Sequence, residues 1–325
     1  MRASNAEWDF MGRSFLVWSL VNMGLREPAL KAAYLPVIDQ IIDETLTLEK
    51  QEGVRFFLMP YAQNRRFEVQ PVRSLFVDGE IALMLAARRV LAEKPEYRQP
   101  LQDRIDAMLE RLRRSPLLAA ESYPDECWMF DHAVALAAIK VSDYLAGTDH
   151  SEFFRTWLTI AKTKLTHPAT GLLISSYTTR GVAVDGPEGS TLWMTAHCLQ
   201  LIDEDFARDQ YQRARRELGR ILLGFGYARE WPASWQGPMD IDSGAIVPGL
   251  GISAGSSGMA FIGASAFGDE AFLSALAATL DFAAFPTRQA SQLKYCASNQ
   301  VGDAAVLYAT VLGPLWETVR SGRRP

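Results

Sequence analysis

Short and long connections alternate along this chain of 325 residues, and that alternation limits its fold more tightly than any motif in it. Apolar residues recur with a period near 3.6 in almost every segment, whereas alternating, strand-like patterns are scarce. The spacing predicts about eleven helices, roughly over 9–26, 29–52, 73–93, 96–114, 128–147, 149–166, 189–203, 205–223, 243–267, 269–284 and 299–319. Short links between them carry breaker residues: "REP", "EKPE", "AGTDH", "IDEDF", "FGDE". Long ones include "LMPYAQNRRFEVQPVRS", "SPLLAAESYPDE", "HPATGLLISSYTTRGVAVDGPEGS" and "YAREWPASWQGPMDIDS".

If every helical hairpin closes with a short link at one end, all the long loops gather at the other. The helix after each long loop is apolar and rich in small residues ("IALMLAARRVL", "AVALAAIKV"), and its partner carries the charge ("PLQDRIDAMLERLRR", "DQYQRARRELGRIL"). Inner helices ringed by outer ones produce that contrast. The units recur about every 55–65 residues, longer than solenoid repeats. The expected fold is therefore all-α, one domain over 1–325, a toroid of helical hairpins. A closed barrel of six hairpins, (α/α)6, needs one helix more than the spacing gives, so closure is left open.

Net charge of −5 argues against a nucleic-acid partner, and basic stretches such as "RARREL" read as solvated helix faces. The distant Cys127, Cys198 and Cys296 form no CxxC, and four histidines form no HxxxH or HExxH, so neither a disulfide framework nor a metal site is expected. "FLVWSLVNMGL" is too short to span a bilayer and reads as a core helix of a cytoplasmic protein without a membrane span. Association into homo-oligomers is left open.

The loop pole carries Tyr61, Tyr123, Tyr177, Trp231, Trp235, Asp125, Glu126, Asp240 and Asp242, a heavy load of aromatics and acids for connecting segments. In "ESYPDECWMFDH", Pro124, Asp125 and Glu126 suit a helix start, where the dipole favours acids. Asp131 lies a turn further in, among Trp128, Phe130, Ala133 and Val134. A carboxyl there has a raised pKa unless it is paired, which a general acid requires. Glu80 in "FVDGEIALML" reads either as a solvated helix-start acid or as a second acid facing Asp131 across a cavity. Asp240 and Asp242 in "MDIDSG" read as a helix cap or as cavity acids; no glutamate closes a calcium loop there. "GISAG" matches the nucleophile elbow, yet no strand is expected before it and no histidine follows Ser253. His197 and Cys198 are adjacent, so on a helix they point about 100° apart.

The segment "YPDECWMFDHAVALAAIKVSDYLAGTDHSEFFRTWLTIAKTKLTHPATGLLISSY" and then "WMTAHCLQLIDEDFARDQYQRARREL" resemble the linalool dehydratase/isomerase family. "FVDGEIALM" and "MDIDSG" do so more weakly. The resemblance implies an (α/α)6 barrel with its site in the mouth and cofactor-free interconversion and dehydration of terpene alcohols. It places the family's two cysteines on Ser122 and Asp131, its histidine on Glu80, its cavity methionine on Phe76 and its tyrosine on Trp193. A thiol–imidazole set is thus replaced by carboxyls.

The expectation is a cofactor-independent lyase or isomerase acting on a small, largely apolar alcohol or alkene. Glu80 and Asp131 share acid and base roles with help from Tyr123, Asp125 and Glu126. Phe76, Ser122, Trp128, Trp193, Tyr61, Tyr177, Asp240 and Asp242 bind the substrate. The alternatives are a glycoside hydrolase on the same barrel and a non-catalytic binding protein, which buried Asp131–Arg and Glu80–Arg pairs without a cavity would favour.

Overall fold

The computed structural model describes residues 3–239, 243–290 and 292–322. Among these residues are twelve α-helices, paired into six hairpins. The inner helices are α1 (Ala6–Arg26), α3 (Leu75–Leu91), α5 (Met129–Ala146), α7 (Gly189–Leu199), α9 (Ala254–Phe267) and α11 (Gln300–Val311). Each packs on the next, and α11 returns to α1, so the ring is closed. The outer helices are α2 (Lys31–Glu52), α4 (Arg98–Arg114), α6 (Ser151–Lys164), α8 (Glu204–Glu217), α10 (Glu270–Ala283) and α12 (Pro314–Ser321). This is the expected (α/α)6 barrel. No described helix is long and apolar enough to cross a membrane.

Burial follows the expected division. Every residue of α3 except Arg89 is buried, and so is every residue of α7 except Ser190. The outer α6 buries one stripe, Phe153, Phe154, Trp157, Leu158 and Ala161, at helical spacing. Each buried Phe or Leu in such a stripe contributes roughly 1.5–3 kcal/mol. Polar side chains start the helices: Asn5 Oδ1 accepts from Trp8 N at 2.8 Å, and Ser253 Oγ from Ser256 N at 3.0 Å. Close inner packing uses glycine where a side chain would be crowded. A Cβ on Gly79 would lie 3.2 Å from the Ala135 backbone, and one on Gly263 2.9 Å from Trp193.

Three expectations need correction. The helix expected over 299–319 breaks at Gly313 (φ 121), after which Pro314 opens α12; this supplies the missing twelfth helix. The helix expected over 205–223 ends at Glu217, because the chain turns into the antiparallel pair β4 (Gly219–Leu222) and β5 (Phe225–Arg229). The helix expected from 243 starts only at Ala254, preceded by β6 (Ile246–Val247) and β7 (Ile252–Ser253). Gly244, Gly249 and Gly251 all have positive φ there, which excludes a continuous helix. At the mouth, β1 (Cys127–Trp128), β2 (Ser176–Tyr177) and β3 (Ala183–Asp185) form a small sheet; its Cys127↔Tyr177 register ties the entry of α5 to the next long loop.

The ring is sealed where α7, α11 and α12 meet. His197 stacks on Trp316 at 4.7 Å and shares a 2.9 Å hydrogen bond with the Tyr308 hydroxyl, while Trp316 Nε1 donates to the His197 carbonyl. Burial lowers the His197 pKa to about 4, so the ring is neutral and structural. Cys198 is buried as well, and its thiol is pushed up by burial.

Candidate active site

A cavity of about 870 Å³ opens at the pole where the inner helices begin. Asp131, in the first turn of α5, lies on its wall although only 6% of the residue is exposed. Burial raises its pKa well above the carboxylate range, and the charge of Glu7 pushes further in that direction. The Ser122 hydroxyl beside it eases the shift, although Ser122 Oγ lies outside ordinary hydrogen-bond geometry with any described partner.

Tyr123 and Glu7 form the second unit on this wall. The Tyr123 hydroxyl donates to Glu7 Oε2 and accepts from Met59 N at 3.4 Å. Its ring stacks on Tyr61, with centroids 5.3 Å apart and planes 17° from parallel. Burial raises the Glu7 pKa, the Tyr123 hydrogen bond counters that, and Glu126 adds a smaller upward push. Glu7 is shifted less than Asp131 and Glu80, and with the Tyr123 hydroxyl aimed at it is the readier of the three to ionise. The sequence reading missed Glu7. The signal was present in "SNAEWDF": Asn5 caps α1, α1 is an inner helix, and an acid in its first turn faces the mouth.

Glu80 is fully buried and is not part of the cavity wall. It lies behind it, where Ser14 Oγ on α1 donates to Oε2 at 2.5 Å and Oε1 has no partner among the described residues. Burial raises its pKa well above the usual range, and the charges of Asp131 and Glu7 add to that. A carboxylate with one satisfied oxygen in such surroundings costs several kcal/mol, so the neutral acid is favoured. Among the described residues, neither Glu80 nor Asp131 pairs with a cation.

Phe76, Trp128 and Tyr61 line the cavity on its aromatic side, joined by Trp8. Glu126 does not line it; it braces the rim, taking hydrogen bonds from the Tyr61 hydroxyl at 2.8 Å and from Trp128 Nε1 at 3.4 Å, with Arg65 as its counter-ion. Asp125 adopts the left-handed conformation (φ 57), which Asp tolerates. Its Oδ1 accepts from Thr179 N and Oγ1 at 3.3 and 3.0 Å, so it fixes the turn and stays off the cavity wall.

Trp193 and Tyr177 are also away from the wall. Trp193 is fully buried between α7, α8 and α9, with Nε1 donating to Ser256 Oγ at 3.2 Å. Tyr177 is fully buried beside His132, 6.0 Å between ring centres. Asp240 and Asp242 lie outside the described residues. Trp231 Nε1 donates to Asp185 Oδ1 at 2.9 Å, and Trp235 packs on His167.

Contrary to expectation, Ser253 is the last residue of a two-residue strand, but its hydroxyl is occupied: it caps α9 and donates to Glu230 Oε2. Glu230 also receives Ser190 N and Oγ, so this side of the mouth is tied by a buried hydroxyl–carboxylate cluster. Among the described residues no three His, Cys, Asp or Glu side chains come together as a metal-binding group.

No family model matches the sequence, and no curated protein matches it. Solved structures are similar in fold. A possible GH105 family member from Salmonella enterica superposes with a TM-score of 0.60 at 11% identity, over 96% of this chain and 83% of the other. A GH76 alpha-mannanase from Bacteroides thetaiotaomicron gives 0.56 at 9% identity, over 96% and 87%. A polysaccharide lyase gives 0.54 at 11% identity, over 98% and 91%. The (α/α)6 toroid is thus shared, nearly end to end, with enzymes that cleave carbohydrates.

Proposed function

We propose that this chain is an acid–base enzyme that cleaves a C–O bond of a carbohydrate-type substrate. The observation that carries the reading is the juxtaposition, on one cavity wall, of Asp131 and the Glu7–Tyr123 pair, with Trp8, Tyr61 and Trp128 beside them. Two carboxyls whose surroundings separate their proton affinities supply both roles at neutral pH. Asp131, the more strongly shifted of the two, donates its proton to the departing oxygen. Glu7 takes a proton from the water whose oxygen attacks the carbon left behind, and Tyr123 orients Glu7. Flat aromatic faces suit sugar rings, and the fold shared with mannan- and polysaccharide-cleaving enzymes supports the same substrate class.

A second reading rests on the rest of the wall, which is largely apolar, and on the resemblance to the linalool dehydratase/isomerase family. There Asp131 protonates the hydroxyl of a small apolar alcohol, water leaves, and Glu7 removes a proton from the neighbouring carbon.

A panel of aryl glycosides and small unsaturated alcohols separates the two. On whichever class is turned over, Asp131→Asn is expected to lower kcat/KM by about 10²–10⁴-fold with an unchanged circular dichroism spectrum. Full turnover in that variant contradicts both readings.

A further inference from the structure

The cavity has two chemically different ends, and the mechanism uses only one. Beyond the acids it extends past α9 and α11 to the outer helix α10, where Met259, Leu276, Leu280, Val301 and Val306 line it. This branch leads to the surface beside an unusual group of exposed rings. Ala283 and Ala284 on its wall are flanked by Phe282 (73% exposed) and Phe285 (68%), and Phe225 packs on Phe282 with centroids 5.4 Å apart.

Gly258 shows that the branch is kept open. Glycine inside a helix costs about 1 kcal/mol relative to alanine, and most inner-helix glycines have a neighbour that explains them, as Gly79 and Gly263 do. A Cβ on Gly258 would meet no atom of the described residues within 4 Å. Its missing side chain makes room in the cavity, not helix contact.

We infer that the apolar branch holds the hydrophobic aglycone of the substrate, so that the natural substrate is an amphiphilic glycoside: a sugar head among Tyr61, Tyr123 and Trp128, and an apolar tail running past Gly258 toward Phe282. This rests on the reading of the acid end as a sugar site. Tail binding, however, is measurable without turnover.

The test is calorimetric binding of butyl, hexyl and octyl β-D-glucosides, and of the matching n-alkanols, to the wild type, Asp131→Asn, Gly258→Ala and Gly258→Leu. The wild type is expected to bind each glucoside about fourfold more tightly per added methylene, and more tightly than the alkanol of equal length. Asp131→Asn and Gly258→Ala keep that slope; Gly258→Leu flattens it. Should Gly258→Leu fail to fold, Ala283→Trp narrows the branch from its exposed outer wall and is expected to flatten the slope as well. Affinity independent of chain length, or a slope unchanged by both narrowing substitutions, overturns the tail site. Alkanols binding as tightly as glucosides overturn the sugar head. A slope with no turnover of any glycoside leaves the tail site standing and counts against the proposed reaction instead.

Discussion

Asp78 and Glu80 stand two residues apart on α3, about 200° apart around the helix, and both are buried. Asp78 turns outward. Arg73 Nε reaches its Oδ2 at 2.7 Å, and Arg104 on α4 bridges it to Glu49 on α2. Glu80 turns into the ring, where Ser14 is its donor and no cation among the described residues pairs with it. Outside the ring, burial of charge is matched by guanidinium groups that clamp three helices together. Inside, the same helix presents an acid that keeps its proton. The difference separates a structural carboxylate from one poised for chemistry, and Asp131 falls on the side of Glu80.

The comparison breaks most visibly at Arg104. Removing its guanidinium by Arg104→Ala strands part of the charge on Asp78 and Glu49, and a loss of about 3–5 kcal/mol is expected from the shift of the denaturant midpoint. A loss below about 1 kcal/mol would mean that the outer network is no tighter than a surface ion pair.

Acid titration sharpens it. Burial lowers the pKa of His132 and of His197 to about 4, from 6.5. Their contribution is complete above pH 6.5 and is lost as pH falls toward about 4. Glu80 works in the opposite sense: its folded pKa is raised, so its contribution is present below the unfolded value of about 4.3 and disappears as pH rises through the folded one. The two trends oppose each other between about pH 4.5 and 6.5. Glu80→Gln removes one of them, so stability should fall on acidification more steeply than in the wild type, by up to about 1.4 kcal/mol per pH unit. Parallel curves would show that Glu80 is already ionised.

The smallest effect is at neutral pH. Glu80→Gln keeps an acceptor for Ser14 and removes a group that is costly to bury, so a gain of about 1 kcal/mol is expected, read from thermal or denaturant unfolding. Destabilisation would place Glu80 with Asp78 as a structural acid.

Much of the architecture was legible because inner and outer helices differ in charge. "IALMLAARRVL" and "PLQDRIDAMLERLRR" declare their layers through periodicity alone. The twelfth helix was hidden because apolar periodicity runs across Leu312-Gly313-Pro314 without interruption, and only the backbone freedom of Gly313 breaks it. The strands around Val247 and Ser253 were too short to show an alternating pattern. Asp131 was legible as an acid among apolar neighbours on an inner helix. Trp193 and Tyr177 were not separable from wall aromatics, because a buried ring reads the same whether it faces a cavity or a neighbouring helix. Glu7 was hidden by its chain position, since its partner Tyr123 lies in a loop 116 residues away.

The central claim is that Asp131 and Glu80, buried inside the ring with no described cation beside them, hold protons at neutral pH. Difference infrared spectroscopy in the carbonyl region at pH 7 tests it directly. The account predicts bands from protonated carboxylic acids in the wild type, one lost in Asp131→Asn and another in Glu80→Gln, while Asp78→Asn leaves both in place. Absence of such bands, with only carboxylate absorption that the substitutions reduce, would contradict it.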